Sequence, residues 1–173
     1  MYYINERARR VRKINAANGW HPVTKKDWDD EPTKIPSMLA LLHSEINEAH
    51  DELLGERLNE LATELADIEI RILDMGGGLV GDFEACVAFA WETGVRVPDE
   101  LDRVFIDMHK WVTTALEHYR ADEIGLFIGA LAKLYLFNRC FAIHKLTFNL
   151  DQAVEDKIKK NAQRSFRHGG KRV

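Results

Sequence analysis

Leu58-Asn59-Glu60-Leu61-Ala62-Thr63-Glu64-Leu65-Ala66-Asp67-Ile68-Glu69-Ile70-Arg71-Ile72-Leu73-Asp74-Met75 reads as a helix and as nothing else. Leu61, Leu65, Ile68 and Ile72 recur at i, i+4, i+7 and i+11, which is one apolar stripe at a period of 3.6. Glu60, Glu64, Asp67, Arg71 and Asp74 lie on its flank. The segment before it behaves alike: from Ser37 to Leu54, Leu42, Ile46, Ala49 and Leu53 form the stripe, and Glu45, Glu48 and Glu52 sit beside it. Glu45-Ile-Asn-Glu48 and Glu64-Leu-Ala-Asp67 are therefore two acidic doublets, each with its carboxylates on one helix face because residues three apart are surface neighbours.

One such doublet is an ordinary solvated face. Two on consecutive helices, both bordering the apolar stripe, are different, because a carboxylate near a core is costly unless paired or coordinated. Two carboxylates about 4 Å apart repel by roughly 4 kcal/mol at an effective dielectric of about 20, so a converging set needs protons or cations. Hard divalent cations, Mg²⁺ first, suit an all-oxygen donor set.

The same helical period runs through almost every long segment, and none alternates as a strand would, so the expected fold class is all-α. Residues 2 to 18 form a first helix with Ile4, Ala8, Val11 and Ile14 inward, and with Arg7, Arg9, Arg10, Arg12 and Lys13 mostly on its other sides. Trp20 to Pro36, with three prolines, Trp28 and dense charge, reads as a loop or broken linker. Gly76-Gly77-Gly78 is expected to end the 58–75 helix, since three glycines are entropically costly in a helix. A phosphate-loop reading of these glycines fails because no Lys-Ser/Thr follows and no strand precedes. A short helix over 83–93 should follow, then helices over about 98–119 and 121–146, with Pro98 at the first helical position of the former. Asn149 with Gln152 resembles a capping box for the last helix, which carries Lys157, Asn161 and Arg164 on one face.

At 173 residues, with 46% hydrophobic content, the chain suits a single domain with a sizeable core. Its 24 Lys and Arg against 28 Asp and Glu give a net charge of −4, so no global basic field points to nucleic acid. Two cysteines, both in apolar runs, and no signal-peptide pattern predict free thiols in a cytoplasmic protein. No apolar run is long enough for a membrane span. The nearest, 124–143, is interrupted by Lys133, Asn138 and Arg139.

The final helix supplies what the acidic doublets lack. Lys157, Asn161 and Arg164, followed by His168-Gly169-Gly170-Lys171, are donors of the type that binds phosphate oxygens, although a basic helix end can also serve only to complement its dipole. Taken together, Leu42-His43-Ser44-Glu45-Ile46-Asn47-Glu48-Ala49, Glu64 through Asp74, and Lys157-x3-Asn161-x2-Arg164-x3-His168-Gly169-Gly170-Lys171 resemble the MazG-like all-α nucleoside triphosphate pyrophosphohydrolases. Ile4-Asn5-Glu6 and Asn18-Gly19-Trp20 resemble the first helix and its end in compact bacterial and phage members, among them the phage purine-deoxynucleotide (MazZ-like) group. The resemblance covers roughly residues 3 to 86 and 148 to 173. It departs where about sixty residues separate Asp82-Phe83-Glu84-Ala85-Cys86-Val87 from the last helix, which reads as a helical hairpin inserted over about 88–147. The core of a single domain, 1–173, would then comprise about 1–87 and 148–173. The apolar faces of the hairpin are too extensive to stay exposed, so it should pack on the core or on another subunit.

The resemblance implies a four-helix catalytic core completed by oligomerisation, as a homodimer or homotetramer, and Mg²⁺-dependent hydrolysis of a nucleoside triphosphate to monophosphate and pyrophosphate. Mn²⁺ is an expected substitute for Mg²⁺. Glu45, Glu48, Glu64 and Asp67 would be the metal ligands, with Glu45 or Glu48 accepting the proton of the attacking water. Lys157, Asn161, Arg164 and Lys171 would hold phosphates. Asn15, Asn18 and Trp20 are candidates for the base, with dGTP or dATP as first substrates, although Trp20 would serve equally as a core plug and Asn18 as a helix cap.

Two other classes compete. A ferritin-like di-iron bundle needs Glu-x-x-His steps, and none occurs; His43 and His50 fall off the acidic face. A helical oligomerisation or regulatory protein retaining the fold would show no metal-dependent turnover.

Overall fold

The computed structural model describes residues 3–166. Among them the secondary structure is entirely helical, as the periodicity predicts: α1 (Tyr3–Ala17), α2 (Lys25–Asp30), α3 (Lys34–Leu54), α4 (Leu58–Leu79), α5 (Phe83–Glu92), α6 (Leu101–Arg120), α7 (Ile124–Cys140), a π-helical turn (Phe141–Lys145) and α8 (Leu150–Ala162).

Helix α4 is the centre of the molecule. It touches α1, α3, α7 and α8, and its stripe of Leu61, Leu65, Ile68 and Ile72 is completely buried. Helices α3 and α4 form an antiparallel pair. The α6–α7 hairpin packs on the pair, α6 on α3 and α7 on α4, while α1 and α8 pack on α4 and on each other. The hairpin packs on the core of its own chain: Phe127, Leu131, Leu134 and Phe141 are fully buried.

The three polar interruptions of the α7 apolar run explain themselves by their partners. Lys133 donates to the Ala90 and Gly94 carbonyls at the C-terminal end of α5. Asn138 donates to the Leu65 carbonyl of α4 at 2.9 Å. Arg139 pairs with Glu69 at 3.0 Å and with Asp151 at 2.9 Å. Contrary to the expectation from those interruptions, the helical stretch Ile124–Lys145 is long and apolar enough, by length and composition, to cross a membrane, and 67% of its most apolar window is buried inside the protein.

Several sequence expectations need correction. The glycine triplet does not end α4, which continues through Gly76, Gly77 and Gly78 to Leu79. The cost of helical glycine, about 1 kcal/mol each relative to alanine, is met by close packing. A methyl group on Gly77 would stand 2.7 Å from the Ala8 Cβ of α1, and one on Gly76 would stand 2.7 Å from the ring of Phe83. Gly78 lies against the carbonyl of Val23, with no room for a side chain.

The segment from Trp20 to Pro36 is not simply a loop. It contains α2, with Asp27 accepting from the main chain and hydroxyl of Thr24, and α3 begins at Lys34 so that Pro36 occupies its first turn, where no N–H is needed. Trp28 of α2 is buried edge-on against Tyr119 and Phe127, and its Nε1 donates to Asp122, which anchors α2 to the α6–α7 turn.

Pro98 is not helical: α6 starts at Leu101, and Val95 and Val97 in the irregular segment before it pack against the core. Arg7 does not lie on a solvated side of α1. It is 1% exposed and reaches Glu69 at 2.8 Å and Asp151 at 3.0 Å. At α8 the Asn149 side chain accepts from the Gln152 N–H as predicted, while the Gln152 side chain turns to Asp156 and does not close the box.

Candidate functional site

The α3–α4 pair presents its acidic flank to a cleft of about 920 Å³ whose opposite wall is the end of α1 and the C-terminal half of α8. This follows from the local periods. On α4, Glu64, Asp67, Arg71 and Asp74 lie at i, i+3, i+7 and i+10 and so form one row. On α3, Glu45 and Glu48 form the facing row. Carboxylate oxygens of Glu45, Glu48 and Glu64 lie within 4.8 Å of one another. Asp67 lines the same cleft one turn along.

Each carboxylate has its own environment. Glu45 is nearly buried and accepts from the Nε and Nη2 of Arg71 on one oxygen, at 3.0 and 2.9 Å, with no Arg71 bond to the other. Burial pushes its carboxyl above the usual range, and the Arg71 charge opposes this. Glu48 is exposed and held by the Ser44 hydroxyl at 3.1 Å. Glu64 is pushed up to about 7, first by burial and then by the charge of Asp67, with Lys157 acting in the opposite sense. Asp67 is also raised by burial, against the pull of Lys157, with which it forms a direct ion pair.

The last helix ends at Ala162, so the facing wall carries Lys157 and Asn161 of α8 and Arg164 from the turn just beyond it, and all three donors line the cleft with the four carboxylates. Lys157 is 8% exposed. The Asn161 Oδ1 is buried and has no hydrogen-bond partner among the described residues. Lys171 lies outside the described residues.

Of the three base candidates, Asn15 and Trp20 line the cleft. Asn15 donates to the buried Asp74 carboxylate at 3.1 Å. Asn18 does not line it. Its amide is buried and donates to the main-chain carbonyl of Asn161 at 2.8 Å, so it ties α1 to α8 and does not face a ligand.

Sequence reasoning missed Arg71, Asp74, Lys34 and Lys160 as members of the cleft. Arg71 and Asp74 were legible as the continuation of the Glu64, Asp67 row at heptad spacing. Lys34 and Lys160 carry no comparable signal. His43 and His50 lie off the acidic face, as expected, and turn to α6. There His43 Nδ1 lies 2.6 Å from His109 Nδ1, and His50 stacks on Phe105.

The donor set suits a hard divalent cation. Every candidate ligand is oxygen, three of them converge, and the charge they accumulate is only partly offset by Arg71 and Lys157. Compared with known proteins, the chain matches no family model, no curated protein and no solved structure.

Proposed function

We propose that this protein is a Mg²⁺-dependent hydrolase of nucleoside triphosphates that releases the monophosphate and pyrophosphate, with dGTP and dATP as first candidates. The observation that carries the reading is the apposition of one acidic and one donor-bearing wall across a single cleft, with three carboxylates within 4.8 Å facing Lys157, Asn161 and Arg164. The resemblance of those same residues to the MazG-like pyrophosphohydrolases supports the bond that is cut.

Glu45, Glu48, Glu64 and Asp67 would hold Mg²⁺, or Mn²⁺ in its place, and the ion supplies offset of triphosphate charge and orientation of the attacking water. The residues of the chain do the rest. Arg71 fixes Glu45 in one geometry by occupying one of its oxygens, which leaves Glu48, exposed and carrying only a hydroxyl donor, as the freer acceptor for the proton of the water. Lys157 and Arg164 hold the departing phosphates as negative charge develops on them. The Asn161 amide group, at the same wall, contributes a neutral donor. Trp20 supplies a flat apolar surface for a base, beside Asn15. The protein is assigned to the cytoplasm of a bacterium, or of a host if phage-encoded, and to a homodimer or homotetramer.

The test is a panel of NTPs and dNTPs incubated with Mg²⁺ or with chelator, with the products resolved. Monophosphate and pyrophosphate, lost with chelator and with Glu48→Gln, support the reading. Orthophosphate and diphosphate would move the cleavage to the β–γ bond. No turnover of any nucleotide overturns it in favour of a non-catalytic helical oligomerisation or regulatory protein.

A further inference from the structure

Resting on the metal and phosphate reading of this cleft, we infer that Lys157 is a resident counter-ion that keeps Asp67 out of the metal site until a phosphate chain draws the lysine away, so that metal loading and phosphate binding are coupled.

The two basic groups in the cluster are attached differently. Arg71 covers one oxygen of Glu45 from the same wall and makes no bond to the other, while Glu45 still converges with Glu48 and Glu64. Its bond is compatible with a cation beside it. Lys157 comes from the opposite wall and sits directly on Asp67. The three converging carboxylates are Glu45, Glu48 and Glu64, and Asp67 is not among them.

The charges favour exchange. Fully ionised, the four carboxylates with their bonded partners Arg71 and Lys157 leave two negative charges, partly offset by the nearby charge of Arg164, so one divalent cation is enough to neutralise the set. A second cation at Asp67 would face the ammonium of Lys157 at close range, a like-charge contact that burial makes worse. A triphosphate changes this, because it brings negative charge sufficient for a second cation and offers Lys157 a new partner. Lys157 is 8% exposed, so leaving it unpaired would be costly, whereas moving it from carboxylate to phosphate is not.

The helix itself need not move. Helix α8 is fastened to α1 by Arg10 on Glu155 and Arg7 on Asp151, and by Asn18 on the Asn161 carbonyl. The exchange is confined to the lysine side chain, whose four-carbon stem is flexible.

The experiment is a Mn²⁺ titration of the nucleotide-free protein, followed by calorimetry and by the free-Mn²⁺ paramagnetic resonance signal. Lys157→Met should tighten Mn²⁺ binding by about tenfold and admit a second ion. Asp67→Asn should change the affinity of the first ion by less than about threefold, while Glu64→Gln weakens it by more than about tenfold. With inorganic tripolyphosphate present, Asp67→Asn should become as damaging to Mn²⁺ binding as Glu64→Gln, and Lys157→Met should weaken tripolyphosphate binding. Unchanged or weaker Mn²⁺ binding by Lys157→Met would overturn the coupling. So would equal losses from Asp67→Asn and Glu64→Gln without tripolyphosphate, and this arm decides if Lys157→Met does not fold. If the wild-type protein binds no Mn²⁺ with or without tripolyphosphate, the metal-site reading falls and the coupling falls with it.

Discussion

Asn18, at the end of α1, donates its side-chain amide to the main-chain carbonyl of Asn161 at 2.8 Å. This bond joins the two elements that form one wall of the cleft and faces the donor side of α8 toward the carboxylates of α3 and α4. Near the other end of the same pair, Arg7 and Arg10 reach Asp151 and Glu155. The position of the phosphate-side donors is thus set by α1, a helix 143 residues away in sequence at the Asn18 contact.

Removing Glu69 should be costly. Glu69 is fully buried between Arg7 and Arg139. Glu69→Ala leaves two guanidiniums facing a cavity, and breaking a buried pair in this way costs about 3–5 kcal/mol. Urea unfolding should show the loss as a lower midpoint at unchanged slope, and a loss under about 1 kcal/mol would mean that the cluster is solvated.

The α1–α8 contact should also set the acid limit of stability. Partial burial alone would raise Asp151, but Arg139 and Arg7 outweigh it and hold its carboxyl below the usual range. The Arg10 hydrogen bond does the same for Glu155. For acids depressed in the folded state, the stabilisation is complete above the unfolded value near 4 and is lost as pH falls through the lower folded values. Thermal melts from pH 7 to pH 2 should fall most steeply below about pH 4, and the double variant Asp151→Asn, Glu155→Gln should flatten that limb.

Glycines inside a helix are usually replaceable by alanine with a gain. Here Gly78→Ala should destabilise, by about 1–3 kcal/mol, because the new methyl meets the Val23 carbonyl. Gly129→Ala, inside α7 with nothing within 4 Å of the added methyl, is the control. Calorimetric melting of the pair separates close approach from backbone entropy.

Arg164 lines the cleft near the end of the described chain and stands outside the buried core. Arg164→Ala should raise KM and lower kcat for triphosphate hydrolysis while shifting Tm by less than about 2 °C, since a surface change costs at most about 0.5 kcal/mol. Unchanged kinetics would remove Arg164 from the phosphate site.

Excision of the α6–α7 hairpin is informative in a different way. As an insertion it would be expected to affect assembly more than metal binding. Because Phe105, Phe127, Leu131 and Phe141 are buried against the rest of the chain, deletion of 93–148 should abolish cooperative folding as followed by circular dichroism. A folded, metal-binding remainder would show that the hairpin is an accessory after all.

Helix content and the acidic rows of α3 and α4 were legible in the residues because each is a short-range property. A stripe at i, i+4 and i+7, or carboxylates three apart, follows from helix geometry whatever the rest of the chain does. The same local reasoning failed where a distant segment decided the outcome. Gly76, Gly77 and Gly78 look like a helix end until Ala8, Val23 and Phe83 arrive against them, and Arg7 looks solvated until Glu69 and Asp151 surround it. Asn18 looks like a ligand or a cap, and becomes a strut only when α8 lies beside α1. By itself the sequence determined which faces carry charge. Only the tertiary structure decided which of those charges meet, because packing of α1 and α8 on α4 brings together residues whose separation along the chain leaves no trace in any local pattern.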